Sequence, residues 1–164
     1  MDTIEDILLL GDPLLYKTSL PVAQREVASL EPTINKLGNL VLLFREKYGR
    51  GRAIAAPQIG VLKRLIVLNI HEPVAIINPH LSFPDPEQFD LWDDCMSFPN
   101  LLVRIKRYRR CVLTFYDRQW AAHTWHLEGS MSELIQHEFD HLEGILATQR
   151  AIDNQSFHMI TDLT

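Results

Sequence analysis

The sequence predicts an α+β fold, with a largely antiparallel or mixed β-sheet packed around a C-terminal helix, and three observations carry that reading. Apolar residues recur at helical spacing in an early segment, at Ile34, Leu37, Val41 and Phe44. Short aliphatic and β-branched runs separated by turn formers fill the middle of the chain. Near the end, a segment with helix-start and helix-stop signals carries Gln136-His137-Glu138-Phe139-Asp140-His141. One helix, then strands in succession, then a final helix argue for segregated α and β elements. With 164 residues, 46% of them apolar, the chain is expected to form one domain, 1–164.

Taken in order, the first thirty residues mix apolar pairs with Gly11-Asp12-Pro13 and Leu20-Pro21 and read as an irregular lead-in that wraps the surface. The first helix runs from Glu31-Pro32 and stops before Gly49. Gly49 to Gly60, with its glycines, alanines and Pro57, reads as too loose for regular structure and too rich in small residues for a solvent loop. Leu65 to Ile70 and Val74 to Ile77 predict a strand, a turn and a strand, after which Asn78-Pro79 and Pro84-Asp85-Pro86 predict loop. Strands are expected again around Leu101 to Ile105, Cys111 to Tyr116 and Ala121 to Leu127, with a hairpin turn at Asp117-Arg118-Gln119. Ser130-x-x-Glu133 spells a capping box at the head of the last helix, and Gly144 is placed to end it.

Composition removes several function classes. The longest apolar runs, such as Leu40 to Phe44, fall far short of the ~18 or more residues of a membrane span, and the acidic start at Asp2, Glu5 and Asp6 is unlike a signal peptide. No membrane partner and a cytoplasmic location are therefore expected. A formal charge of -5 gives no global reason for direct nucleic-acid binding. Arg104, Lys106, Arg107, Arg109 and Arg110 form one basic run, but Val103, Ile105 and Cys111 interleave with it as in a half-buried strand. Two cysteines without a secretory signal argue against a disulfide framework, and Cys111 reads as a small buried apolar residue.

The chemistry concentrates in the last helix. Two histidines four residues apart lie one turn above each other, so His137 and His141 can reach one metal ion from the same helix face. Glu138, one step round the helix, is then placed to accept a proton from a water at that ion. A catalytic metal normally takes three protein ligands, so a third must come from elsewhere. His71, His80, His123, His126 and His158 have no partner spacing. Cys95, preceded by Asp93-Asp94 and followed by Met96-Ser97, stands out, although alone it reads as a buried thiol.

Three segments in register, Gly51-Arg52-Ala53-Ile54-Ala55-Ala56-Pro57-Gln58, Asp93-Asp94-Cys95-Met96-Ser97 and Gln136 to His141, resemble in order and spacing the G-x-G-x-A-A-x-Q, E-G-C-L-S and Q-H-E-x-D-H motifs of the peptide deformylases. The resemblance implies that Cys95, His137 and His141 hold one divalent metal, Fe(II) by family habit, with a donor set that also suits zinc, nickel and cobalt. It implies that Glu138 is the acid and base, that Gln58 and the Met96 backbone N–H stabilise an oxyanion, and that Gly51, Arg52, Ala53 and Asp94 lie beside the substrate. It also implies that Asp93 and Arg107 form an ion pair bracing the Cys95 segment. The substrate is then a formylated peptide or nascent-chain N-terminus, most simply a formyl-methionyl one.

The departures bear on substrate choice. Ala53 stands where the family has glycine, Asp93 where it has Glu, Asp94 where it has glycine, and Arg52 where it is commonly aliphatic. They motivate a second reading, a deformylase-like hydrolase of another formylated amine. A third, a catalytically silent metal-binding relative, is opposed by the presence of Gln58, Cys95, His137, Glu138 and His141. The twenty residues after Gly144 show neither the long helical period nor the basic character expected for docking to a ribosome.

Overall fold

The computed structural model describes residues 1–161; the last three positions of the expected domain lie outside the described residues. In chain order, short 3-10 turns between Ile4 and Leu30 lead into α1 (Glu31–Tyr48). The strands that follow are β1 (Ala53–Ala55), β2 (Leu65–Asn69), β3 (Pro73–Ser82), β4 (Gln88–Cys95), β5 (Phe98–Tyr108), β6 (Arg110–Tyr116) and β7 (Ala122–Glu128). Then come α2 (Ser130–Leu142) and β8 (Phe157–Met159). One sheet has the order β1-β2-β3-β6-β7 and the other β4-β5-β8, every pair antiparallel.

Side-chain alternation decides where the helices sit. Along β2, Leu65 and Val67 join Ile34, Leu37, Val41 and Phe44 of α1 in one core, while Ile66 and Leu68 join Leu134, Ile135 and Leu142 of α2 in another. The five-stranded sheet is thus covered by α1 on one face and α2 on the other. Cys95, Phe98, Val103 and Ile105 form a third core with Leu15 of the lead-in and Leu146. Nearly every residue of α2 is buried, including both histidines and Glu138.

Several sequence expectations need correction. Ala53–Ala55 is not loop but an edge strand paired with Leu68, Val67 and Ile66. Its small residues are buried between two cores, and this tertiary setting outweighs their weak β-propensity. Asn78-Pro79 does not end β3. It forms an irregularity between Ile77 and His80 with Asn78 at φ 50°, pinned because the Asn78 side chain accepts from Val22 N and donates to Val22 O, both at 2.8 Å. Strand β4 was not expected, since Gln88 to Asp94 holds too many polar residues for an aliphatic run; its pairing with β5 supplies what composition lacks.

The basic run follows the expected alternation with one exception. Arg104 and Lys106 face solvent, but Arg107 shares the inward side of β5 with Val103 and Ile105 and is buried. The lead-in braces the interior: Leu8 N donates to Gln58 O, Leu10 N to Ser97 O, and Ser19 N to Leu142 O, each at 2.8 Å. Gly144, at φ 73°, lies so close to this segment that a Cβ would stand 2.5 Å from Tyr16 O. None of the helices among the described residues is long and apolar enough to cross a membrane.

Candidate metal centre

Helix α2 is fixed to the three-stranded sheet before any ligand is considered. Gln136 imitates a β-strand neighbour: its Oε1 accepts from Tyr108 N at 3.0 Å and its Nε2 donates to Tyr108 O at 2.8 Å. Ser132 Oγ donates to the same carbonyl at 3.0 Å. These bonds set the rotation of α2, so that His137 and His141 face the end of β4, where Cys95 lies. The ligand atoms of Cys95, His137 and His141 all fall within 4.8 Å of one another, and all three residues are buried.

Cys95 Sγ is 3.3 Å from His141 Nε2. On the other ring, His137 Nδ1 is 2.7 Å from Asp93 Oδ2, which leaves Nε2 for the shared point. A carboxylate on one imidazole nitrogen makes it the N–H tautomer there and frees the other as a donor of electrons. Thiolate and imidazole are the donors that suit a tetrahedral or expanded site for a borderline divalent ion, and three protein ligands leave a position open. The residues therefore fit a catalytic metal.

The surrounding charges bear on each group. Burial works against a charged His137, but Asp93 and Cys95 outweigh it and push its pKa well above the ordinary histidine range. Burial, reinforced by His137, pushes His141 well below that range. Burial would raise Asp93, yet His137 and Arg107 outweigh it and hold the carboxyl low. Glu138 is pushed up to about 7 by burial, with His137 opposing. Its Oε2 is buried without a protein hydrogen-bond partner among the described residues, as is His141 Nδ1.

Gln58 enters from the turn after β1. Its Oε1 accepts from Ala55 N at 3.0 Å, which orients Nε2 toward Ser97 Oγ at 3.1 Å and Cys95 Sγ at 3.6 Å. Because the oxygen is committed to a backbone donor, the amide presents its N–H groups to Ser97 and Cys95. Met96 lines the same cleft, together with Gly51, Arg52, Ala53, Asp94 and Glu138. Gly51 has φ 128°, and a Cβ there would sit 3.0 Å from the Met96 side chain and 3.2 Å from Phe44. Ala53, by contrast, has ordinary extended backbone in β1, so its methyl group is accommodated.

Arg107 lies behind the histidines, 3.4 Å from Asp93 Oδ2 and 2.6 Å from Asp140 Oδ2, all three side chains being under 10% exposed. Arg150 reaches Asp140 from outside at 2.6 Å. The pairing of Asp93 with Arg107 is present, and Asp94 is engaged elsewhere, with Arg50 at 3.0 Å.

One assignment changes. Glu133 does not close a capping box: the N-cap position falls on Gly129, which has no side chain to reciprocate, and Glu133 Oε1 instead pairs with Arg52 Nη2 at 2.8 Å. A charge-assisted bond to guanidinium wins over a neutral backbone N–H. Sequence reasoning also overlooked Asp140, whose place one residue before His141 on a buried helix was the available signal, and Arg50, for which no signal existed.

Residues 4–157 match the family described as polypeptide deformylase. The chain is 35% identical over 156 residues to a peptide deformylase of Dictyoglomus turgidum, covering 93% of this chain and 96% of that relative. The chain belongs to the peptide deformylase family. A solved peptide deformylase from Thermotoga maritima superposes with a TM-score of 0.80 at 33% identity, covering 90% of this chain and 97% of that one. A peptide deformylase from Synechococcus elongatus, solved in complex with actinonin, superposes with a TM-score of 0.83 at 25% identity and covers 92% and 80%. The chain shares with these deformylases the α+β architecture of antiparallel sheets around a C-terminal helix.

Proposed function

We propose that this member of the family hydrolyses the N-formyl amide of peptide N-termini, as one cytoplasmic domain, and that formyl-methionyl ends are the substrates its family membership implies. The observation that carries the reading is the convergence of Cys95, His137 and His141, the first two lining a cleft that Glu138 also lines, with a buried Glu138 carboxylate oxygen that has no partner among the described residues. These three ligands would hold a divalent ion, Fe(II) on family resemblance, with zinc, nickel or cobalt compatible with the same donors. The ion, when bound, supplies a Lewis acid and a water of lowered pKa.

The chain's own residues account for the remaining steps. Glu138 takes the proton of the attacking water and later gives it to the departing amine, so that one C–O bond forms, the C–N bond breaks, and formate and a free N-terminus result. Gln58 Nε2, held by the Ala55 N–H on its other end, donates to the oxygen on which charge develops, as does the backbone N–H of Met96. Asp93 holds His137 in one tautomer, and Arg107 holds Asp93.

The test is formate release from formyl peptides under anaerobic conditions, alongside elemental analysis of the purified protein. Stoichiometric metal with formate release is the expected result. Metal-loaded protein that releases no formate from any formylated peptide or small amine would favour the silent-relative reading.

A further inference from the structure

The cleft beside the metal ligands is chemically mixed. Phe44, Met96 and Leu134 supply apolar surface, while Arg52 and Glu133 line it as an ion pair. The Glu133 side chain is 10% exposed and the Arg52 side chain 38%. The pair uses one guanidinium nitrogen and one carboxylate oxygen; beyond it Arg52 makes only a long 3.4 Å contact, to the Ser130 carbonyl. Arg52 Nε and Glu133 Oε2 make no further hydrogen bond among the described residues. The cleft thus offers an open donor beside an open acceptor, in the same lining as Cys95, His137 and Glu138.

Such a surface discriminates by what it loses when water leaves. An apolar substituent laid against the pair strips hydration from both charges and returns no hydrogen bond. A carboxylate would satisfy Arg52 but meet Glu133, and an ammonium the reverse. A carboxamide carries a carbonyl for Arg52 and an N–H₂ for Glu133 on separate atoms of one planar group, whereas a hydroxyl must donate and accept through a single oxygen.

We propose that Arg52 and Glu133 are specificity-determining residues that favour formylated substrates whose first side chain is a carboxamide, asparagine or glutamine, over the thioether of methionine. The inference rests on the deformylase reading and refines its substrate class.

The experiment compares formyl-Gln-Ala-Ser, formyl-Met-Ala-Ser and formyl-norleucyl-Ala-Ser on the metal-loaded enzyme, with inhibition by the unformylated Gln-Ala-Ser and Met-Ala-Ser as a second readout. The glutamine substrate should exceed the methionine one in kcat/KM by about tenfold or more, since sites built to hydrogen-bond a substrate reject analogues lacking the group. The double variant Arg52→Ile/Glu133→Ile, which leaves neither charge unpaired, should invert the order. A wild-type preference for methionine or norleucine in both readouts would overturn the proposal and leave the deformylase reading standing. Absence of formate from every peptide would sink the deformylase reading, and the binding of the two unformylated peptides would still decide which side chain the cleft prefers.

Discussion

Asp93 Oδ2 lies 2.7 Å from His137 Nδ1 and 3.4 Å from Arg107 Nη2, so one buried oxygen connects a buried imidazole to a buried cation. Asp is one methylene shorter than the family's Glu, and the pair with Arg107 is correspondingly long, while the contact to the histidine is short. Asp93→Asn keeps the shape but removes the charge and half of the accepting capacity. It should weaken metal affinity by about 10- to 100-fold, the usual cost of losing the hydrogen-bond partner of a ligating histidine. Chelator competition measures it; unchanged affinity would show that Asp93 does not act through His137.

Ligand and base separate by what each variant keeps. His137→Ala, His141→Ala and Cys95→Ala should each lose the stoichiometric ion, because among the described residues three candidate ligand atoms converge and each variant removes one. Glu138→Ala should retain the ion and lose ~10²- to 10⁴-fold in turnover, the contribution typical of a general acid-base group. Elemental analysis and formate release on the same preparations distinguish the two patterns. Full metal occupancy in Cys95→Ala would mean that the third ligand has been misidentified.

Arg107 is the cation that two buried carboxylates share. Arg107→Met would leave Asp93 and Asp140 without it in the interior, at a cost of about 3–5 kcal/mol in stability. Urea unfolding reads the loss. Arg150, which still reaches Asp140, makes the Asp93 side of the pair the more sensitive one. A double-mutant cycle with Asp93→Asn should give coupling well above the few tenths of a kcal/mol within which distant mutations usually add, and strict additivity would disprove the interaction.

Gly144 closes the end of α2 against the lead-in. A Cβ would stand 2.5 Å from Tyr16 O on a backbone at φ 73°, so Gly144→Ala has to displace main chain as well as adopt a left-handed conformation that costs ~1–2 kcal/mol by itself. The variant should lose more stability than that amount, seen as a lower denaturant midpoint. A midpoint equal to the parent's would show that the lead-in is not held there.

The three motif segments are each local: a loop of small residues, a cysteine between acids, and a pair of histidines at helical spacing. His137, Glu138 and His141 were readable as candidates from side-chain type and helical spacing, whereas Cys95 and Gln58 took their expected roles only from the resemblance of the three segments to the family's motifs. The first helix, the strands β2, β6 and β7, and the end of α2 were readable for a related reason, since their apolar periodicity reports one buried face. Strand β4 was not, because its polar residues gain their order from β5 and not from their own preference.

Partner choice is where sequence reading stops. The spacing of Ser130 and Glu133 spells a capping box, a partner close in sequence; folding brought Arg52, 81 residues away, to 2.8 Å and made the charged pair instead. Asp94 stands where the family has glycine, and tertiary structure places Arg50 against it. The sequence by itself determined the pairing of two histidines on one helix face with Glu138 between them, the two helices and most of the strands, because these follow from bonded geometry and periodicity. Tertiary structure alone decided which charges meet, how the lead-in braces Gln58 and Ser97, and what the cleft presents to a substrate. Those contacts join residues far apart along the chain, and the free energy of an ion pair depends on burial and on the competing partners that only the folded chain brings within reach.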